Sequence, residues 1–187
     1  MVNPANATTF NRIKALGSSW TGKLQSSISF MGSDPTNTYY ESISSANVNS
    51  VITYNSNKVV AVIFQPSSNT LSFRKNIVDN SAGQDKFMVI FVDGNVSIDS
   101  TVDRIDAFII ASGTITVESA GLDLDDPILI KGGLYANQIL LNRDLKNVVT
   151  NNDKPAEYIS YNENLILNQQ DVPFEIKESP IQWVFDE

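Results

Sequence analysis

Apolar residues in the middle of the chain form three short runs that can be written over one another. The runs start at Val89, Phe108 and Ile128, and each continues into a glycine and a second short apolar strand. The glycines lie 19 and 20 residues apart, at Gly94, Gly113 and Gly133. A fixed period near 20 residues is typical of stacked repeats. The pattern predicts an all-β fold, a parallel, right-handed β-solenoid (β-helix) with about 19–20 residues per rung.

Stacking also predicts which side chains point inward, because a single rung cannot bury its own apolar residues. The glycines are expected at the corners, where a positive φ or a sharp bend is costly for other residues. In the third segment Tyr135 and Asn137 fall on inward positions, so either Leu134 and Ala136 replace them or the register shifts by one. The expected inward pairs are Val89/Phe91, Phe108/Ile110 and Ile128/Ile130 before the corner, and Val96/Ile98 and Ile115/Val117 after it.

The whole chain, 1–187, is predicted to be one solenoid domain. Residues 1–19 are expected to form a short helix and cap, 20–75 the first irregular rungs, 85–168 the repeat rungs and 169–187 a C-terminal cap strand. A cap is expected because open β edges promote aggregation. If the tail were free instead, it could pair with another subunit. An antiparallel sandwich is the alternative fold, since its short strands also recur regularly.

Composition narrows the range of partners. The formal net charge is −8 and no basic stripe is present, so the sequence predicts neither nucleic-acid binding nor adsorption to an anionic membrane surface. No apolar run approaches the roughly 18 residues that a membrane span requires, so direct membrane insertion is not expected. The absence of cysteine leaves the redox compartment open. The start Met1-Val2-Asn3-Pro4 does not resemble a signal peptide, so an upstream export or anchor segment is presumed missing.

Carboxylates are the candidate chemical groups, because the chain also has no histidine. Asp99, Asp103 and Asp106 share one loop between rungs and could supply paired acids for a glycosidase. In the next loop, Asp123, Asp125 and Asp126 are a candidate calcium site, since hard cations prefer clustered carboxylates. The structural alternative is that turns favour aspartate. Apart from this calcium, no cofactor, cofactor-binding residue or catalytic residue is predicted.

Two further groups of side chains have both structural and functional interpretations. Arg104 and Asp106 flank Ile105, and a salt link that fixes the entry to the next strand is the expected role. Six aromatic residues could form a sugar-stacking strip if exposed, although packing under the end caps is the expected role. They are Trp20, Tyr39, Tyr40, Tyr54, Tyr158 and Tyr161.

Several motifs between Val89 and Leu167 resemble extracellular proteins of small-genome candidate-phylum bacteria. The corresponding segments are VDGNVSIDSTVDRIDAFIIASGTI, PILIKGGLYANQILLNRDL and KPAEYISYNENLIL. The resemblance implies export and a β-helical fold, and it transfers no catalytic residue. A looser, fold-level likeness connects the chain to bactofilins, which polymerise end to end through a β-helix.

These observations favour a non-enzymatic structural or adhesive module, displayed on a bacterial envelope or filament. The expected location is extracellular or in the cell envelope. Its expected partner is a cell-surface glycan or protein, or another copy of the chain. The alternatives are a β-helix that binds or acts on carbohydrate, and a subunit of a head-to-tail polymer.

Overall fold

The chain forms short parallel strands that stack into a β-solenoid of about four turns. The computed structural model describes residues 38–43, 47–54, 60–66, 68–79, 88–146 and 155–161, and these residues contain no helix. The described strands are β1 (Thr38–Ile43), β2 (Asn47–Val48), β3 (Ile52–Tyr54), β4 (Val60–Pro66), β5 (Thr70–Phe73), β6 (Ile77–Asp79), β7 (Met88–Val92), β8 (Asn95–Ile98), β9 (Arg104–Ile105), β10 (Phe108–Ala111), β11 (Thr114–Val117), β12 (Ile128–Tyr135), β13 (Gln138–Leu141) and β14 (Glu157–Tyr161).

The strands lie on three faces, and each rung contributes one strand to face 1, then one to face 2 and one to face 3. Face 1 consists of β1, β4, β7, β10 and residues 133–135 of β12. Face 2 consists of β2, β5, β8, β11 and β13. Face 3 consists of β3, β6, β9, residues 128–132 of β12, and β14. All of these pairings are parallel, so the predicted all-β parallel solenoid is confirmed.

The core lies between the three faces. On face 2, Val96 and Ile98 alternate with polar residues, and both side chains point inward, as the sequence predicts. Ile115 and Val117 in the next rung also point inward, as predicted. Leu134 and Ala136 pack against the same core.

The expected inward pairs on face 1 are wrong. The core there takes Met88, Ile90 and Val92 from β7, instead of Val89 and Phe91. It likewise takes Ile109 and Ala111 from β10, so Phe108 and Ile110 are not its inward residues. All five residues of β7 are buried, so its sequence carries no alternation from which the inward side could be determined.

The predicted 19-residue step joins only two of the rungs. Val89 pairs with Phe108, 19 residues later. The next step on face 1 is 25 residues, since Phe108 pairs with Gly133. The expected alignment of the third segment is therefore wrong, and Ile128 and Ile130 contribute to the core from face 3. The difference arises because the longer loop 118–127 enters between β11 and β12.

Stacked backbone groups build the corner between faces 1 and 2. The amide of Asn95 donates to the carbonyl of Asn69 (2.8 Å), and the amide of Gly113 donates to that of Gly94 (2.9 Å). Gly94 has a φ of 152°, and a Cβ there would lie 2.6 Å from the Asn69 carbonyl oxygen. At the next level the amide of Asn137 donates to the carbonyl of Gly113 (3.0 Å), so Asn137 takes the corner position expected for Gly133.

Gly133 itself lies within β12, where the ring of Phe108 occupies the space that a Cβ would need. The glycine with a structural role at a corner in this segment is its neighbour, Gly132. It has a φ of 150° where β12 passes from face 3 to face 1, and a Cβ would overlap the carbonyl oxygen of Ala107. Close approach of two backbones requires glycine at this position.

The predicted N-terminal helix and the predicted C-terminal cap strand lie outside the described residues. Among the described residues, no helix is long and apolar enough to span a membrane.

We predict that Gly132→Ala destabilises the protein more than Gly121→Ala. Both glycines have positive φ, 150° and 130°, so both substitutions incur backbone strain of about 1–3 kcal/mol. Only Gly132 lacks space, because the nearest atom to a Cβ on Gly121 is a flexible Leu124 methyl at 3.3 Å. Overpacking should add about 1–3 kcal/mol to the loss for Gly132→Ala in urea denaturation. Equal losses would contradict the close packing of this corner.

Candidate functional site

The last rung exposes apolar side chains whose counterparts in earlier rungs are buried. Ile139 is 39% exposed, although it pairs with Ile115, which is fully buried. Leu141 is 47% exposed above the buried Val117. On face 3, Ile159 is 44% exposed and pairs with a buried isoleucine, Ile130. We call this surface, formed by β13, β14 and residues 133–135 of β12, the C-terminal end.

The strands of the C-terminal end also lie at the edges of the described sheets. Among the described strands, β13 pairs only with β11, and β14 pairs only with β12. An edge strand presents backbone amide and carbonyl groups that can pair with another chain. The C-terminal end therefore offers both apolar contact area and a backbone pairing edge.

The opposite end of the solenoid differs. In the first described rung the inward side chains Val48 and Ile52 are 2% and 1% exposed, although no described strand lies before them on faces 2 and 3. Among the side chains described on faces 2 and 3 of this rung, Val51, between β2 and β3, is the exposed large apolar residue, at 51%. On faces 2 and 3, the inward side chains are thus buried in the first described rung and exposed at the C-terminal end.

Three tyrosines add to the C-terminal end. Tyr158 and Tyr161 are each 55% exposed, so the expectation that they pack beneath a cap is wrong for these two. Tyr135, which the sequence did not single out as an exposed aromatic, is 57% exposed at the same end. Trp20 lies outside the described residues, as do the side chains of Tyr39, Tyr40 and Tyr54.

A buried arginine holds the loops beside the last two rungs together. The side chain of Arg143 donates from Nη1 to the carbonyl of Asp126 (2.7 Å) and from Nη2 to the carbonyls of Val102 (2.5 Å) and Asp99 (3.2 Å). Its backbone amide donates to Oε1 of Glu157 (2.9 Å). One guanidinium therefore connects loops from three levels of the solenoid. Burial lowers the pKa of Arg143, and the nearby carboxylates oppose this shift.

Asp125 is the buried carboxylate near Arg143, and it is 2% exposed. Its Oδ1 accepts from the amide of Ala120 (2.8 Å), and its Oδ2 accepts from the amide of Asp144 (2.8 Å) and the hydroxyl of Ser119 (2.6 Å). Burial by itself raises the pKa of Asp125. The hydrogen bonds from Ala120, Ser119 and Asp144, with the charge of Arg143, outweigh burial, and the pKa lies below its usual value.

The three aspartates of the candidate calcium site have separate environments. Asp125 binds backbone amides, as described above, and Asp126 forms an ion pair with Lys146. Asp123 adopts a left-handed conformation with a φ of 55° in the turn. Among the described residues, no group of three or more acidic side chains is arranged to hold a metal ion. Calcium binding by this loop stays a prediction from sequence.

The loop of Asp99, Asp103 and Asp106 likewise uses its carboxylates internally. The predicted salt link is present: Arg104 Nη2 lies 2.6 Å from Asp106 Oδ2, and this carboxylate also accepts from the amide of Asp79 (2.9 Å). The side chain of Asp103 contacts Asn76. Asp99 accepts from the amide of Thr101 (2.9 Å), which lowers the pKa of Asp99. These bonds fix turns and join rungs.

Comparisons with protein-family models, with curated proteins and with solved structures found no match.

Sequence reasoning singled out the acidic loops and missed most of the C-terminal end. The sequence did not predict the exposure of Leu140 and Leu141, because an apolar pair gives no sign that no described rung lies above it. The sequence gives no sign that Arg143 is buried, because its direct neighbours, Asn142 and Asp144, are polar and typical of a solvated turn.

We predict that Asp125→Asn lowers the free energy of unfolding at neutral pH by about 1–3 kcal/mol, because hydrogen bonds to the charged carboxylate are lost. The folded-state pKa of Asp125 lies below the unfolded value of about 3.9. Its contribution is therefore complete above pH 3.9 and is lost as the pH falls through the folded-state pKa. The difference in the free energy of unfolding between wild type and variant should therefore decrease in acid. Urea denaturation at several pH values measures this difference.

Asp123→Asn is the matched control, because it removes the same charge from the same loop at a left-handed position that asparagine tolerates. It should change stability by less than about 0.5 kcal/mol. A larger loss in Asp123→Asn than in Asp125→Asn would show that the hydrogen bonds of Asp125 do not stabilise the loop.

Proposed function

We propose that this protein is a non-enzymatic structural or adhesive module of a bacterial cell surface, and that its C-terminal end makes the functional contact. The observation that carries the proposal is the exposure of Ile139, Leu141 and Ile159, which continue columns of otherwise buried side chains. Large apolar patches on a soluble protein mark interaction sites. The proposed partner is a surface glycan or protein, or another copy of the chain.

The roles of the buried ionisable groups support a structural function. Asp106 binds Arg104 and the amide of Asp79, Asp125 binds loop amides, and Arg143 binds loop carbonyls. Each of these groups has partners that fix the backbone. Groups of this kind stabilise loops and rung entries, which is what a rigid display module requires. The proposed extracellular location rests on the resemblance of the repeat segments to exported β-helical proteins.

Carbohydrate binding is a second candidate, favoured by the tyrosines of the C-terminal end. Tyr135, Tyr158 and Tyr161 are each more than half exposed. An exposed aromatic ring combines an apolar face with a polar tip, as sugar recognition requires. On a glycan array, Tyr158→Ala should then reduce binding at least tenfold, with or without calcium. Unchanged binding in this variant would exclude Tyr158 as a sugar platform.

We predict that Leu140→Glu weakens the contact made by the C-terminal end. Leu140 is 37% exposed in the middle of β13, and a charge on an edge strand blocks pairing with another chain. Wild-type protein should either sediment with purified peptidoglycan sacculi or self-associate in sedimentation velocity. The variant should weaken that interaction at least tenfold.

Leu122→Glu is the control, because Leu122 is 80% exposed in loop 118–127 rather than in the last rung. It should retain the interaction, and circular dichroism should show that both variants are folded. The proposal is overturned if wild-type protein neither binds sacculi nor self-associates, or if Leu140→Glu behaves as wild type. Release of reducing sugar ends from the sacculi by wild-type protein would overturn the non-enzymatic assignment.

A further inference from the structure

We infer that the partner of the C-terminal end is a second copy of the chain, and that the two copies meet about a two-fold axis with β13 antiparallel to its symmetry mate. This inference rests on the proposed function, because it names the partner of the same surface. It differs from a head-to-tail polymer, in which one end would bind the opposite end of the next copy.

The first argument is that the residues of β13 themselves carry no charge, proline or bulge that would block pairing. Natural edge strands are blocked by charges, proline or bulges. Gln138–Leu141 is uncharged, contains no proline, and pairs with β11 in unbroken register. The flanking residues, Asn137 and Asn142, are also neutral. In a chain with a formal net charge of −8, a second copy meets less repulsion at an uncharged edge than at an acidic one.

The second argument is that the two ends of the described solenoid are unequal. A head-to-tail contact joins two different surfaces, and here it would need exposed core residues at both ends. Ile139 and Leu141 are exposed at the C-terminal end, whereas Val48 and Ile52 are buried in the first described rung. On faces 2 and 3 the described core residues are exposed at the C-terminal end and buried in the first described rung, so this apolar surface matches a copy of itself better than it matches the other end. A self-complementary contact between two copies has two-fold symmetry.

The third argument is that inward orientation fixes the register of such a pair. In an antiparallel pair, residues directly opposite each other point to the same side. Ile139 and Leu141 point inward, because they pair with Ile115 and Val117. Both cores remain continuous if Ile139 of one copy lies opposite Leu141 of the other. The two-fold axis then passes beside Leu140, which faces its own symmetry mate.

The fourth argument comes from the slope of the last rung. The chain climbs from face 1 (residues 133–135) through β13 on face 2 to β14 on face 3. A two-fold axis at the middle of face 2 exchanges faces 1 and 3 between the copies. Residues 133–135 of one copy, where the last rung begins, therefore lie opposite β14 of the other copy, where the last rung ends. The gap between the two ends is uniform, which makes a sloping end complementary to itself.

The test is a single-cysteine variant, Leu140→Cys, which is specific because the chain has no cysteine of its own. Opposed residues of an antiparallel pair have Cα atoms about 4.5–5.5 Å apart, which is within the range for a disulfide. Under mild oxidation Leu140→Cys should form a covalent dimer in high yield. Wild-type protein should show a concentration-dependent dimer, and no larger species, in sedimentation velocity.

Val51→Cys is the matched control, an exposed apolar position, 51% accessible, in the first described rung. Alone it should cross-link at least tenfold less than Leu140→Cys. A mixture of the two variants separates the arrangements. Cross-linking of Leu140→Cys to itself supports the two-fold dimer, whereas preferential cross-linking of Leu140→Cys to Val51→Cys would overturn it in favour of a head-to-tail chain.

The remaining outcomes separate this inference from the proposed function. A wild-type monomer without cross-linking of Leu140→Cys overturns the two-fold dimer, and it would point to coverage of the edge by another partner or by residues 162–187. If sacculi binding is still lost in Leu140→Glu, the proposed contact surface stands although the second copy is excluded. If sacculi binding is also absent from wild type, both proposals fall.

Discussion

In-register parallel pairing of each strand with the rung below is the constraint on which the rest of the structure depends. Pairing by backbone hydrogen bonds places identical positions of successive rungs over one another, so side chains stack in columns. On face 2 one column runs through Leu71, Val96, Ile115 and Ile139. The first three are at most 1% exposed, and the last is 39% exposed. A side chain in this fold is buried by the rung above it as much as by its own rung.

The same constraint explains how much of the fold the sequence predicts. Where one side of a strand is polar, as in Val96 and Ile98 between Asn95, Ser97 and Asp99, alternation gives the inward side directly. In β7 every residue is buried, so alternation is absent and the expected inward residues were the wrong ones. The corner expected at Gly133 failed for a different reason. Spacing alone does not show which of the adjacent glycines, Gly132 or Gly133, lies at a corner. It also does not show that loop 118–127 is five residues longer than loop 99–103, or that β12 spans two faces.

The candidate site was less predictable than the fold because its contacts span long distances in sequence. Arg143 donates to carbonyls of residues 41 and 44 positions earlier, and these partners carry no side-chain signal that could have revealed them. Asp125 appeared in the sequence as one of three clustered acids. Its environment differs from theirs because the loop folds its carboxylate onto backbone amides. Clustering in sequence therefore indicated the loop correctly, but did not indicate the orientation of each carboxylate.

A solenoid does not limit its own length, because every rung offers the next one the same edge and the same columns. Termination therefore needs either a segment that breaks the repeat or a contact that a further rung cannot continue. A two-fold axis is a contact of the second kind. It reverses the strand direction at the junction, so an antiparallel pair closes an otherwise parallel stack and leaves no further edge at that end. In this chain β13 meets the requirement, since its edge is neutral and its inward residues alternate regularly about Leu140.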